Sequence, residues 1–108
     1  MLTREELPEC PVATTVQLIG NMWKLLIIRN LIYNGTQRFT DFIKSIPAIS
    51  KKVLTDNLRA LENDALIKRE VFAEVPPRVE YSLTEIGKSL KPILDAMSDW
   101  GTDYKNIC

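Results

Sequence analysis

Phe42-Ile43-Lys44-Ser45-Ile46-Pro47-Ala48-Ile49-Ser50-Lys51-Lys52-Val53-Leu54-Thr55-Asp56-Asn57-Leu58-Arg59-Ala60-Leu61 reads as two amphipathic helices joined by a tight turn. Thr40 is suited to cap the first helix, which carries Phe42, Ile43 and Ile46. That helix must stop before Pro47, because a proline disfavours helical geometry in the residue preceding it. Pro47-Ala48-Ile49 then makes the connection. Ser50 offers a side-chain oxygen to the free amides of the next first turn, and the helix it opens places Leu54, Leu58 and Leu61 on one stripe. Two helices so closely joined spell a helix-turn-helix.

With the leucines turned inward, the opposite face presents Lys52, Thr55, Asp56, Arg59 and Asn63, with Ser50 and Lys51 at the leading end. These residue types suit the major groove of duplex DNA. Arg and Lys can donate paired hydrogen bonds to guanine and Thr can meet the thymine methyl. The N-terminal turn adds backbone amides and a positive dipole end for phosphate. The bland alternative is the solvated face of an ordinary amphipathic helix.

The residues C-terminal to this helix favour the DNA-facing reading. Ile67 to Val75 and Arg78 to Leu83 are strand-like runs rich in Val, Tyr and Phe, separated by Pro76-Pro77. In the second, Val79, Tyr81 and Leu83 alternate with Arg78, Glu80 and Ser82, the period of a half-buried strand. A hairpin directly after the second helix is a wing, and Lys68, Arg69 and above all Arg78 are its candidate cations for an adjacent minor groove or its phosphates. Glu70, Glu74 and Glu80 dilute their charge.

On the N-terminal side, Gln37 to Phe39 reads as a short extended piece. Before it, Met22 to Tyr33 is a nearly all-apolar helix stopping at Asn34-Gly35. Pro11 to Ile19 is a shorter helix, with Pro in its first turn and Gly20 at its end. On the C-terminal side, Ile86, Leu90, Ile93, Leu94, Met97, Trp100 and Tyr104 share one helical face, with Pro92 marking a kink or a restart. That stripe is too long for one small core to cover, which predicts a second copy against it. Trp23 and Trp100 read as core or interface aromatics. The expected fold class is α+β, mainly α: one winged helix-turn-helix domain over residues 1–108, with a two-stranded wing and N- and C-terminal dimerisation helices.

Composition narrows the chemistry. The 108 residues contain no histidine and two cysteines, Cys10 and Cys108, which removes Ser-His and Cys-His nucleophile pairs and any four-ligand zinc site built from those residues alone. There is no Gly-rich phosphate loop and no acidic pair set apart from the surface charges, so neither an enzyme nor a cofactor is expected. No apolar run reaches the roughly 18 to 20 residues that cross a bilayer. With no export signal at the acidic N-terminus, a cytoplasmic location without membrane attachment is the expectation. The net charge is zero, yet it is unevenly spread. From Arg38 to Arg59 five basic residues face two acidic ones, whereas from Leu61 onward nine acidic residues outnumber six basic ones. A basic stripe backed by an acidic tail suits a DNA-facing surface. The zero total also keeps a second class open, a winged-helix module that binds protein and not DNA.

Arg38-Phe39 through Ile46-Pro47, Ile49-Ser50, Leu54-Thr55, Leu58-Arg59, Leu61-Glu62 and the long stretch Val75-Pro76-Pro77-Arg78-Val79-Glu80-Tyr81-Ser82-Leu83-Thr84-Glu85 resemble the HxlR family of bacterial winged-helix regulators. Cys10-Pro11-Val12, Ile19-Gly20 and Trp23-Lys24 match its opening and Trp100-Gly101 its close. The resemblance implies a homodimer built on the terminal helices, with one recognition helix per subunit entering double-stranded DNA at a near-palindromic operator. It makes Arg38, Ser50, Lys51, Lys52, Thr55, Asp56, Arg59 and Arg78 the expected DNA-contacting set. The chain departs from the family in three places: Ile43 stands where the family is often basic, and Ala48 and Ala65 stand where it often has glycine, so the usual glycine-type helix ending is not expected here. Several members of the family respond to electrophiles or oxidants through a cysteine placed like Cys10. Cys10 would stand at a helix N-cap ahead of Pro11, where the dipole favours a thiolate. The competing role is a small buried hydrophobe. Cys108 reads as incidental or as a cross-dimer partner.

Overall fold

The computed structural model describes residues 2–107, so the reading of Cys108 lies outside the described residues. The elements run α1 (Pro11–Ile19), α2 (Met22–Asn34), α3 (Phe39–Ser45), α4 (Lys51–Asn63), β1 (Ile67–Phe72), β2 (Arg78–Leu83), α5 (Glu85–Lys88) and α6 (Lys91–Ile107). The strands pair antiparallel, with Ile67 opposite Leu83 and Phe72 opposite Arg78. This is a winged helix: a helix-turn-helix followed by a two-stranded hairpin.

The core gathers Ile27 and Ile28 of α2, Phe42 and Ile46 from α3 and its end, Leu54, Leu58 and Leu61 of α4, and Ile67 and Tyr81 of the hairpin. Phe42 and Tyr81 meet edge to face, with ring centroids 6.1 Å apart. One polar side chain is buried among them. Asn30 of α2 donates to Ser45 Oγ at 2.6 Å, and Ser45 in turn donates to the Asp41 carbonyl at 2.8 Å, so α2 and the end of α3 are tied by satisfied hydrogen bonds.

Three local expectations need correction. Thr40 is not the cap of α3: the helix starts one residue earlier, at Phe39, because Arg38 is the N-cap and the Asp41 carboxylate accepts from the Arg38 amide at 2.8 Å. A first-turn carboxylate thus does what the Thr40 hydroxyl was expected to do. The extended piece shrinks accordingly to Gln37, which exchanges two backbone hydrogen bonds with Tyr81 and adds a rung beside β2. Strand β1 ends at Phe72 and not Val75, since the Glu74 amide turns back onto the Phe72 carbonyl at 2.9 Å. Of the two outcomes expected at Pro92, a kink or a restart, the chain takes the restart: α5 is one short turn ending at Lys88, and α6 opens at Lys91 with Pro92 in its first turn, where a missing amide costs nothing.

The two departures at alanine are resolved by backbone geometry. Ala65 lies at φ 61° just after α4. The Leu66 amide reaches the Leu61 carbonyl and the Ala65 amide reaches that of Glu62, both at 3.0 Å, which is a Schellman ending with alanine in the left-handed position. Buried Leu61 and Leu66 supply its apolar contact. The glycine-type ending expected to be lost is therefore kept. Ala48 lies at φ 63° behind Pro47, and the Ile49 amide bonds the Ile46 carbonyl at 3.4 Å, the pattern of a type II turn.

Helices α1 and α2 meet at 82°. Gly20 permits the corner, because a Cβ there would lie 2.1 Å from the Val16 carbonyl oxygen. A second glycine joins the wing to the body. Gly87 packs on the Leu66 carbonyl, 2.1 Å from where its Cβ would stand, while Thr84 Oγ1 donates to the Ala65 carbonyl and accepts from the Gly87 amide. Helix α6 is fastened to α2 by Asp95, which accepts from Tyr33 and from Lys91. The hydrogen bonds from Lys91 and Tyr33 hold the Asp95 carboxyl below its ordinary range, and the bond to Asp95 raises both Tyr33 and Lys91.

Leu94 faces inward, whereas Ile93, Met97, Trp100 and Tyr104 face out at spacings of one and two turns. Trp100 is 68% and Tyr104 53% exposed, their rings stacked at 5.2 Å. Val12 and Val16 of α1 are exposed as well. Among the described residues no single helix is long and apolar enough to cross a membrane.

Candidate nucleic-acid interface

Everything that aims α4 is local. The Pro47–Ala48 turn sets its entry angle, and Ser50 Oγ accepts from the Val53 amide at 3.1 Å, as its N-cap position requires. Leu54, Leu58 and Leu61 are buried on one side, and Lys51, Lys52, Asp56 and Arg59 are exposed on the other. The geometry therefore brings five of the eight expected contact residues, counting Ser50, onto one open surface. Thr55 is half-buried beside them and its hydroxyl donates to the Lys51 carbonyl at 2.8 Å, a bond that fixes the rotamer of its methyl group.

The charges on this face are unequal. Lys52 Nζ stands 2.7 Å from Asp56 Oδ2, an exposed pair one turn apart that is worth only about 0.3 to 0.5 kcal/mol and opens easily. Lys51 and Arg59 have no ion pair among the described residues. The cationic character of α4 therefore rests on those two. Arg38 is exposed but stands apart, on the N-cap of α3.

A cleft of about 430 Å3 runs between α4 and the hairpin, lined by Thr55, Arg59 and Glu62 on one wall and Arg69 and Tyr81 on the other. Sequence alone counts Arg69 as one wing cation among three. The register shows more: Arg69 is paired with core-facing Tyr81, so it is turned toward α4 and shares the cleft with Arg59.

Arg78 is placed differently from every residue on α4. Its guanidinium lies over the Phe72 ring at 4.1 Å, and its buried Nε is 3.4 Å from Glu74 and 3.6 Å from Glu80 without a well-formed hydrogen bond to either. Two carboxylates and an aromatic face thus hold one cation against the hairpin.

Cys10 is exposed at the N-cap of α1, and its side chain makes no capping hydrogen bond. The smaller reading, a buried hydrophobe, is set aside by that exposure. No group of three or more Cys, Asp or Glu side chains arranged to hold a metal ion occurs among the described residues.

With this geometry in view, the chain can be set beside known proteins. The HTH-type transcriptional regulator YdeP of Bacillus subtilis strain 168 is 50% identical over 97 residues, covering 90% of this chain and 75% of YdeP. The redox regulator HypR in its reduced form superposes with a TM-score of 0.85 at 41% identity, covering 91% of this chain and 96% of HypR, and its oxidised form gives 0.81 at 44%, covering 87% and 96%. The reduced transcriptional regulator YodB of Bacillus subtilis gives a TM-score of 0.71 at 33% identity over 86% of this chain and 91% of YodB. Residues 18–107 match the HxlR-like helix-turn-helix family. The match extends over nearly the whole length, and the chain belongs to the HxlR-like helix-turn-helix family of transcriptional regulators.

Proposed function

We propose that this regulator binds double-stranded DNA sequence-specifically as a homodimer, with α4 of each subunit in successive major grooves of a near-palindromic operator. One observation carries the reading: α4 turns Lys51, Lys52, Asp56 and Arg59 outward on the face opposite three buried leucines, at the exposed end of a rigid turn. Ser50, Thr55 and Arg59 are the base-reading candidates, while Lys51, Lys52 and Arg38 serve phosphates and Arg78 joins them only as far as Glu74 and Glu80 release it. Residues 1–108 act as one domain in this reading, in keeping with a protein that works without catalysis or a cofactor.

The second copy is supported by the apolar faces of α1 and α6. Val12, Val16, Met97, Trp100 and Tyr104 are too many large exposed hydrophobes for a lone chain of this size, and they lie on the two terminal helices. A two-fold axis through them would set the recognition helices about 34 to 36 Å apart, one turn of duplex. Gel-shift titration against the DNA upstream of its own gene, at several salt concentrations, tests the reading. Affinity should fall steeply with salt, and operator DNA should be preferred over random duplex. Binding no tighter than to random duplex refutes it, and purification free of nucleic acid together with a captured protein would favour the interaction-module alternative.

Regulation through Cys10 is a second reading, favoured by its exposure at the start of α1. It has support from HypR, which is called a redox regulator, and from YodB, whose structure also exists in a diamide-treated form. A small electrophile or oxidant is the effector class this implies. Cys10→Ser should leave DNA binding intact and abolish any response to diamide or quinones; an unchanged response dismisses the role.

A further inference from the structure

A cavity of about 600 Å3 opens where the end of α2, the base of the hairpin and the α5–α6 corner meet. Its floor is apolar, formed by Leu31 and Leu83, both buried, with half-buried Ile32 beside them. Three ammonium groups surround it, from Lys68 on β1, Lys88 at the end of α5 and Lys91 at the start of α6, and no acidic side chain lines it. Glu85 and Asp95 engage Lys88 and Lys91 at 3.1 and 2.7 Å from outside the wall. Lys68 has no such partner among the described residues.

We infer that this cavity is a binding site for a small organic acid, an apolar body carrying one carboxylate. The volume falls within the range of small-molecule sites, and the combination of an apolar floor with a few convergent polar groups is what such sites share. The charge balance sets the class of ligand. Two of the three cations are already matched by carboxylates, which leaves Lys68 to take one negative charge, and the Ser82 side chain directly across the strand pair is a hydroxyl. A neutral ligand would leave that ammonium unmatched, and inorganic phosphate would leave the apolar floor uncovered. The duplex is an unsuitable occupant because Lys68 stands near the base of the hairpin beside Ser82 and Leu83, on the side opposite the α4 cleft that Arg69 lines. Arg78 shares that hairpin face with Lys68 but is at the tip. The residues assigned above to the second copy contribute nothing to the wall.

A ligand here touches β1, α2 and the first turn of α6 at once. Resting on the proposed function, this makes it an effector that fixes the hairpin relative to the dimerisation helix and so biases which operator spacing the dimer can span.

Titration of the full chain with benzoate, followed by nitrogen–proton correlation spectra, tests the site, with benzamide as the neutral isostere. Saturable shifts at Thr36, Lys68 and Ser82 are expected with benzoate, with benzamide about tenfold weaker. Lys68→Met, at an exposed position, should fold as before and bind benzoate about tenfold more weakly. Lys91→Met provides a second variant on another wall. Equal shifts from benzoate and benzamide, shifts confined to other residues, or unchanged benzoate affinity in both variants overturns the inference. Duplex titration of the same samples separates the two proposals. If Lys68→Met weakens duplex binding and leaves benzoate binding alone, Lys68 is a phosphate contact and the acid site fails. Saturable benzoate binding in a chain that binds no duplex keeps the site and removes the proposed function.

Discussion

On α4 the arginine that matters stands free, whereas on the hairpin it is held. Arg59 is exposed with no ion pair among the described residues, and Lys51 is likewise open. Arg78 is pressed onto Phe72 between Glu74 and Glu80. Each segment also holds cations in the other state, Lys52 of α4 being paired with Asp56 and Lys68 and Arg69 of the hairpin having no ion pair among the described residues, so pairing is set residue by residue and not by element. A chain of zero net charge can thus keep a strongly cationic face by neutralising its positive charges elsewhere, so local pairing decides more than the total.

The largest effect should come from the inward side of α4. Leu54 is fully buried, and Leu54→Ala should cost about 2 to 5 kcal/mol in a denaturant titration, through lost burial and the cavity left behind. Val71→Ala on the exposed outer part of the hairpin should stay within about 0.5 kcal/mol. Equal losses would mean that the hairpin is as much a part of the core as α4, and the comparison would break.

Next comes the outward side. Arg59→Ala should cost about 1 to 3 kcal/mol in the preference for operator over random duplex. Arg78→Ala should leave that preference unchanged, because its cation is already compensated. If the two variants traded places, the held arginine would be the reader and the free one a bystander.

A smaller effect is expected where α4 meets the hairpin. Ala65 occupies a left-handed conformation that costs an L-residue about 1 to 2 kcal/mol, so Ala65→Gly should relieve it. Glycine also adds freedom to the unfolded chain, which leaves a net gain of about 0.5 to 1 kcal/mol, visible as a raised thermal midpoint. A lowered midpoint would show that the Ala65 methyl packs usefully.

The two arginines also mark what the sequence could carry. Ser50, the leucine stripe and the strand alternation were legible because each depends on residues within a few positions of one another. The limits of α3 were not, since either Thr40 or Asp41 could serve the first turn and only the backbone shows which one does. Ala65 was misleading for a related reason: a Schellman ending prefers glycine but tolerates alanine when Leu61 and Leu66 are buried over it. The state of Arg78 and the partnership of Arg59 with Arg69 depend on hairpin register and on packing between elements. Spacing along the chain records neither.

The smallest effect, and the sharpest test of the difference between the two arginines, comes from releasing the held one. Glu74→Gln together with Glu80→Gln removes both carboxylates near Arg78 while keeping the size of each side chain. The pairs are partly exposed, with Arg78 at 31% and Glu74 at 50% side-chain exposure, so each is worth no more than about 1 kcal/mol. Fold stability should therefore change little, and the stacking on Phe72 should remain. What should change is the field at the hairpin. One cation becomes available and two negative charges are lost, so affinity for any duplex should rise a few fold at low salt. The dependence of log affinity on log salt should steepen by about one unit for one added phosphate contact. Operator preference should stay where it was, because a phosphate contact carries no base information. A steeper slope with unchanged preference would show that the glutamates restrain the wing's hold on the backbone. An unchanged slope would place Arg78 out of reach of DNA altogether and leave phosphate binding to α4, Arg38 and Arg69.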